Sequence, residues 1–488
     1  MSYKYNALGL NMKRLSSFFR SSSRPHWEII IVLSFIALYS LAAISVSLNR
    51  YWQYDAFWYD LGIFDTTVWK WSQFQLPMIA HLAPPFGKMV WADHFNPTII
   101  LLAPVYWLTS RTEIILITQA VAVAISTLIA YLTARKVVTN SLVRIALIAS
   151  YLGFVGLQNA LYTDVHNIVF ALPFIMAVIW AIYHHKWRWY WLFLLLTLGV
   201  QENMAAVIIG IGLFLLLRKE RQLKISVATI LLGLVYGLLV MKLIIPTISG
   251  VPYKYQPDLP VYWHEWLTRF ILPVDLKLRT IVLTYATFGL LPVFAFSTLP
   301  LVIAHFLERF VLNSAATRWD LGFHYNALLS PIMFLGTLEV ITRLQRHKKG
   351  RRLLPIWGII TIVLVLFLHR FYLHGPLMLA THPVFYEQTA RNRNMLDGFV
   401  AQIPRSGLLM TQNNLAAHFT HQEVFLLNPN YVAIQPDVVA FDLRPGQNAN
   451  NFYPLSFDAA KTLEASLSTD VNYEKQEITN SQVIYLRR

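Results

Sequence analysis

The residues best placed for chemistry lie in Tyr59-Asp60-Leu61-Gly62-Ile63-Phe64-Asp65, about a dozen residues beyond the first long apolar run. A carboxylate acts as a general base when it reaches a proton donor at a water-poor but accessible boundary, and the edge of a membrane is such a place. Asp60 and Asp65 are five residues apart, about 140° around a helix, so they do not share a face. Leu61, Phe64, Val68 and Trp71 recur at helical spacing. Asp60 then falls at the N-cap of an interfacial helix over 61–73. From there it can point toward a substrate while Asp65 anchors the helix, so Asp60 is read as the base and Asp65 as its support. A cap or a solvated loop acid is the plain alternative for either one.

Other polar residues fall near the ends of apolar runs. Asp55, Asp93 and His94 precede the second run, and Glu202 lies between two runs, where an acid needs a partner or a wet cavity. His94, His166 and His324 suit acid/base work, metal ligation or phosphate contact. Arg269, Arg309 and Arg318 suit a diphosphate, with Tyr325 close in sequence to the last of them. Asp93, His94, His166, Glu202, Arg309, Arg318, His324 and Tyr325 are therefore the candidate substrate-binding residues. No H-x-x-x-H spacing occurs, so any metal would be assembled across loops; its identity is open, a divalent cation being the candidate. The absence of cysteine excludes disulfides, thiolate metal sites and a cysteine nucleophile.

The elements that must position these residues are membrane helices. Hydrophobic residues make up 56% of the chain and charged ones 13%, against roughly 25% charged in soluble domains. The net charge of +15 does not point to nucleic acid, because half of the basic residues sit in short segments on one side. Residues 1–26 carry Lys4, Lys13, Arg14, Arg20 and Arg24 and no acid, which places the N-terminus in the cytoplasm. Trp27 to Leu48 reads as an uncleaved first span rather than a signal peptide. Eleven spans follow from the apolar runs, with the multi-span domain over 27–374 and the acidic motif in an outer loop at 49–112. Within that loop a second amphipathic piece is expected after His81–Pro85, and 97–109 as a short interfacial or re-entrant helix. On this topology the inner segments hold 20 Lys and Arg and the longer outer loops, without the tail, 10. Residues 375–488 read as a small extracytoplasmic α/β domain, with strands at 407–411, 423–427 and 438–443 and helices at 414–418 and 457–468. It has no Gly-rich phosphate loop.

Taken together, Tyr59 to Asp65, Asp93-His94-Phe95-Asn96-Pro97, Val165-His166-Asn167, Gln201-Glu202-Asn203, Phe323-His324-Tyr325-Asn326 and Pro436 to Asp442 resemble the domain of unknown function 2079 family of predicted prokaryotic membrane proteins. The resemblance runs from about 28 to 445. The layout also resembles the GT-C class of multi-span glycosyltransferases. That likeness implies a polyprenyl-phosphate-linked sugar donor, a site on the outer face of the cytoplasmic membrane, and an acid of the first outer loop, here Asp60, as base. The usual Asp-Glu pair is replaced by Asp60-Leu61, so the second acid is Asp65 or one brought from Asp164 or Glu202. The expected fold is thus an all-α polytopic protein of about eleven helices, GT-C-like, with membrane lipid and the lipid-linked donor as partners. A lipid or saccharide transporter, with Glu202 as coupling group, and a non-catalytic assembly protein are the rival readings.

Overall fold

A computed structural model describes residues 26–83, 87–220, 222–313 and 315–488. The basic N-terminal stretch and Arg221, on which part of the orientation argument rests, lie outside the described residues. In chain order the helices are α1 (His26–Trp52), α2 (Ile63–Ser72), α3 (Glu113–Val137), α4 (Ser141–Gly153), α5 (Val155–Tyr162), α6 (Asn167–Tyr183), α7 (Trp187–Leu198) and α8 (Met204–Leu217). They continue with α9 (Leu223–Ser249), α10 (Trp263–Ile271), α11 (Val274–Thr287), α12 (Leu299–Phe310), α13 (His324–Leu344), α14 (Lys348–Tyr372) and α15 (Pro383–Val400).

Five of these, α1, α3, α9, α13 and α14, are long and apolar enough to cross a bilayer. α1 and α3 run unbroken because neither contains a Gly or Pro. At Phe154 the backbone turns extended (φ −69°, ψ 114°), and α4 and α5 meet at 43°, giving a sixth span if the bent pair counts as one. Every apolar segment of the eleven-span reading holds a helix, but α6, α7, α8, α11 and α12 are shorter than 18 residues. Buried polar pairs fix the helices against one another. Arg144 of α4 grips both carboxylate oxygens of Glu28 in α1, with 2% and 1% of the two residues exposed. α8 and α9 approach closely because Gly212 and Gly233 lack a Cβ, which would stand 2.6 Å from Ile230 and 2.8 Å from Ile209. At the other end of α9, Tyr236 Oη donates to Leu198 O at 2.8 Å, holding the turn that carries Glu202.

Two local expectations are corrected. The helix of the acidic motif begins with a π-helical turn at Trp58–Gly62 whose N-cap is Phe57, so Asp60 lies inside the first turn and caps nothing. The amphipathic piece expected after His81–Pro85 forms β2 (Lys88–Met89), paired with β1 (Met78–Ile79), and then only a short 3₁₀ turn at Val90–Ala92; Met78 and Met89 pair across the two strands. Pro97–Trp107 is helical but wound as 3₁₀, with Pro104 inside.

The C-terminal segment builds a five-stranded sheet in the order β4-β3-β5-β7-β6. β3 (Leu409–Thr411) pairs in parallel with β4 (Val424–Leu426) and β5 (Val438–Asp442), while β7 (Gln482–Arg487) runs antiparallel to β5 and to β6 (Tyr473–Thr479). Side chains alternate along a strand. Leu409, Val424, Val438, Ala440 and Ile484 accordingly join the same core as the membrane helices. Met410, Phe425, Val439, Phe441 and Tyr485 form a second core on the opposite face, closed by Leu463 and Leu467 of the helix Phe457–Ser468. The sheet is therefore seated on the bundle by one face.

Candidate active site

The loops at one end of the bundle converge on a cavity of about 230 Å³. α1 leads into it through the turn at 53–57, and the other walls come from the 93–96 loop, the 164–167 connection between α5 and α6, the 201–203 turn between α7 and α8, the segment after α9, and the start of α13. The opposite helix ends carry the basic clusters, including Arg135 and Lys136 of α3, Arg218 after α8, and Arg343 in the last turn of α13.

Asp60, Asp93, His94, His166, Arg318, His324 and Tyr325 all line this cavity. Asp60 is exposed to it, and among the described residues its carboxylate has no hydrogen-bond or ion-pair partner. It can therefore accept a proton from a bound molecule. The His166 and His324 rings stack at 3.5 Å between centroids, and His324 meets the Tyr325 ring at 4.0 Å. Burial holds His166 below its ordinary pKa, with the Asp60 charge opposing, so His166 faces the cavity as a neutral imidazole. The His166 amide is fixed by Gln119 Oε1 at 2.9 Å. The Arg318 guanidinium lies 4.5 Å over the Tyr325 ring and supplies positive charge at the same wall.

A second cluster braces the opposite wall. Asp93 Oδ1 accepts from Tyr255 Oη at 3.0 Å and lies 3.8 Å from Lys254 Nζ. Tyr255 in turn stacks on His94 at 4.7 Å. Burial pulls the His94 imidazole down, but the Glu202 carboxylate 2.7 Å away outweighs it and raises the pKa; the pairing likewise holds Glu202 below the usual carboxylate value despite burial. Glu202 also accepts from Tyr253 Oη at 2.8 Å and Phe95 N at 3.1 Å.

Four expected site residues stand elsewhere. Glu202 is 1% exposed and sits behind His94 rather than on the cavity, because its three donors already satisfy both oxygens. Arg309 is buried against Asn326 Oδ1 and Arg318 O, both at 2.6 Å, so it shapes the loop that presents Arg318 and His324 and does not line the cavity. Arg269 is paired with Asp258 at 2.7 Å away from the cavity. Asp65 is fully buried on the other side of its helix, accepting from Thr112 Oγ1 at 3.0 Å and from Thr420, with His421 Nε2 at 3.3 Å. Thr66 Oγ1 donates to Thr420 O at 2.7 Å, and Asn413 Oδ1 accepts from Tyr59 N at 3.1 Å. The acidic helix is thus clamped to the C-terminal sheet, with Asp65 at the clamp and Asp60 facing the cavity.

Other residues escaped the reading of the sequence. Lys254, Tyr255, Tyr59 and the amides Asn96, Asn167, Gln201 and Asn203 also line the cavity. Most of them lay in quoted motifs, but an amide offers no charge or spacing signal of its own. Asp164, a candidate for the second acid, does not line the cavity: its φ is +48°, and it accepts from Phe57 N at 3.2 Å with Arg50 Nη1 3.7 Å away. Burial pushes its carboxyl up to about 7, Arg50 opposing and Asp60 adding. No three or more His, Asp or Glu side chains among the described residues come together as a metal-holding set. The cavity instead combines one free carboxylate, three imidazoles, the cations Arg318 and Lys254 and several amides, a lining suited to a polyhydroxylated molecule that carries an anion.

Fold and site define a multi-span helical membrane protein with a polar cavity at one end of its bundle. The chain belongs to the family described as predicted membrane protein (DUF2079), whose profile matches residues 50–478. No curated protein matches it. Among solved structures, the crystal structure of ArnT from Cupriavidus metallidurans bound to undecaprenyl phosphate is similar at a TM-score of 0.48 and 9% identity, over 94% of this chain and 97% of that one.

Proposed function

We propose that the protein is a GT-C-like membrane glycosyltransferase that moves a sugar from a polyprenyl-phosphate-linked donor to an acceptor hydroxyl at the outer face of the cytoplasmic membrane. The observation that carries this reading is the unpartnered Asp60 carboxylate in a cavity shared with Arg318, Lys254 and the stacked His166–His324 pair. Asp60 takes the proton of the acceptor hydroxyl, the freed oxygen bonds to the sugar's anomeric carbon, and the bond from that carbon to the phosphate oxygen breaks. Arg318 and Lys254 stabilise the charge that collects on the departing polyprenyl phosphate. The amides and imidazoles orient the sugar hydroxyls. Asp65 acts on Asp60 only through the helix it anchors, and Glu202 only through His94.

The topology that suits this chemistry is the finer one: eleven spans including the short helices, the N-terminus inside, and 375–488 as an extracytoplasmic α/β domain over the cavity. The basic helix ends opposite the cavity support that orientation. A direct test incubates the purified full chain with radiolabelled polyprenyl-phosphate sugars and a panel of hydroxyl acceptors. Labelled product together with released polyprenyl phosphate is expected. Movement of intact lipid or saccharide across liposomes without any transfer would establish a transporter instead.

A further inference from the structure

Between the cavity wall at Lys254 and Tyr255 and the start of α11 lies α10 (Trp263–Ile271), a helix none of whose residues is buried. At about 100° per residue its apolar side chains, Trp263, Trp266, Leu267, Phe270 and Ile271, fall within about 140° of arc, and His264, Glu265, Thr268 and Arg269 take the opposite face. The polar face is used by the protein itself. Glu265 accepts from Val261 N at 3.0 Å, and Arg269 Nη1 donates to Asp258 Oδ2 at 2.7 Å. Lys277 Nζ of α11 ties down the end of the helix by donating to Arg269 O and, at 3.0 Å, to Phe310 O. On the apolar face Phe270 meets the Phe310 ring at 5.8 Å, whereas Trp263 is 81% and Leu267 57% exposed.

Two observations say what covers this face. The first is its level: the Arg279 guanidinium of α11 lies 6.0 Å from the ring of Tyr372, the last residue of the span α14. α11 starts at Val274, about one and a half turns earlier, so α10 joins it close to where that span ends. The second is continuity: Val274, Leu278 and Val282 form an exposed apolar stripe that carries the face of α10 on down the flank of α11. Exposed tryptophans on an amphipathic helix at the end of a span fit the headgroup boundary of a bilayer. Glu265 and Arg269 offset each other in charge, so apolar burial rather than anionic lipid supplies the attraction.

We propose that α10 lies in the headgroup layer of the leaflet at the cavity end, with Trp263, Leu267 and Ile271 at the acyl boundary, and that this seat holds the Lys254–Tyr255 wall of the cavity. The Arg269–Asp258 pair transmits the restraint, and Asp258 N is fixed on Leu312 O at 3.3 Å. The seat needs no transfer chemistry and is independent of the transferase reading.

The chain contains no cysteine, so single nitroxide labels can be placed on the full chain at Leu267→Cys and Thr268→Cys. In nanodiscs of phosphatidylcholine, with or without phosphatidylglycerol, power saturation compares collisions with oxygen, which partitions into lipid, and with a water-soluble nickel chelate. The Leu267 label should collide with oxygen and lose nickel contact, the Thr268 label should do the reverse, and phosphatidylglycerol should change neither. Leu267→Glu should speed hydrogen exchange at Lys254–Gln256 about tenfold, the scale of one leucine withdrawn from lipid, while Leu267→Phe matches wild type. Equal nickel contact for the two labels, protection at Leu267 only with phosphatidylglycerol, or unchanged exchange in Leu267→Glu would each overturn the assignment. So would spin–spin broadening that disappears on dilution with unlabelled protein, which would mark a second copy on this face.

Discussion

Replacing Asp65 by alanine should loosen the C-terminal sheet from the acidic helix without touching the cavity lining. The carboxylate accepts from two threonine hydroxyls and faces His421 from a fully buried position. Hydrogen bonds to a charged group contribute about 1.5–3 kcal/mol each. Two of them would suggest about 3–6 kcal/mol, but the Thr112 and Thr420 hydroxyls stay within 3.1 Å of each other, and removing the acid also relieves its desolvation. A net loss of about 3 kcal/mol is left, on the order of a hundredfold in a local opening equilibrium. Hydrogen exchange followed by mass spectrometry reads this directly. Amides of Asn413–Ala416 and of the turn through Thr420 should exchange on the order of a hundredfold faster in Asp65→Ala, while those of α3 near its middle stay unchanged. Exchange within about threefold of wild type in that turn would refute the clamp and leave Asp65 without an assigned role.

The paired groups and the cavity lining give further outcomes. His94 has its folded pKa raised, so its pairing with Glu202 is complete below about pH 6.5 and is lost as pH rises through the folded value; Glu202, lowered, loses its share only as pH falls below its ordinary 4.5. Glu202→Gln should therefore lower the thermal transition temperature at pH 6 and flatten its decline between pH 6 and 9, measured by tryptophan fluorescence. Asp164, raised to about 7 from 3.8, withdraws stability as pH climbs through that interval, and Asp164→Asn should remove that slope in the same scan. Arg318→Ala should cut transfer from the lipid-phosphate donor about 10- to 100-fold in kcat/KM, measured with the radiolabelled donor, and leave the thermal transition in place.

Much of this arrangement was legible in the residues, and what was not has a physical cause. Period and composition place a helix in every apolar run, and the motif around Asp60 does reach a polar cavity, since its neighbours at helical spacing bury Leu61, Phe64 and Val68. Whether an acid faces the cavity or its scaffold depends on partners remote in sequence. Glu202 was drawn inward by Tyr253 and His94, and Arg309 by Asn326, contacts that no local pattern encodes. The cap at Asp60 failed because a π-helical turn starts the helix three residues early, at Trp58 rather than Leu61, and spacing rules assume an α-helix. β6 was invisible for another reason: Glu474, Lys475, Gln476 and Glu477 are all exposed on a sheet edge, so the strand has no apolar alternation to read.

The central claim is that Asp60 is the base, and one comparison addresses it: sugar transfer by wild type, Asp60→Asn and Asp60→Glu, each with the hydrogen-exchange profile of the Asn413–Thr420 turn recorded as a check on the fold. Asp60→Asn should lose about 10²- to 10⁴-fold in kcat with the profile unchanged, and Asp60→Glu should recover part of the rate. Undiminished transfer by Asp60→Asn would contradict the assignment outright.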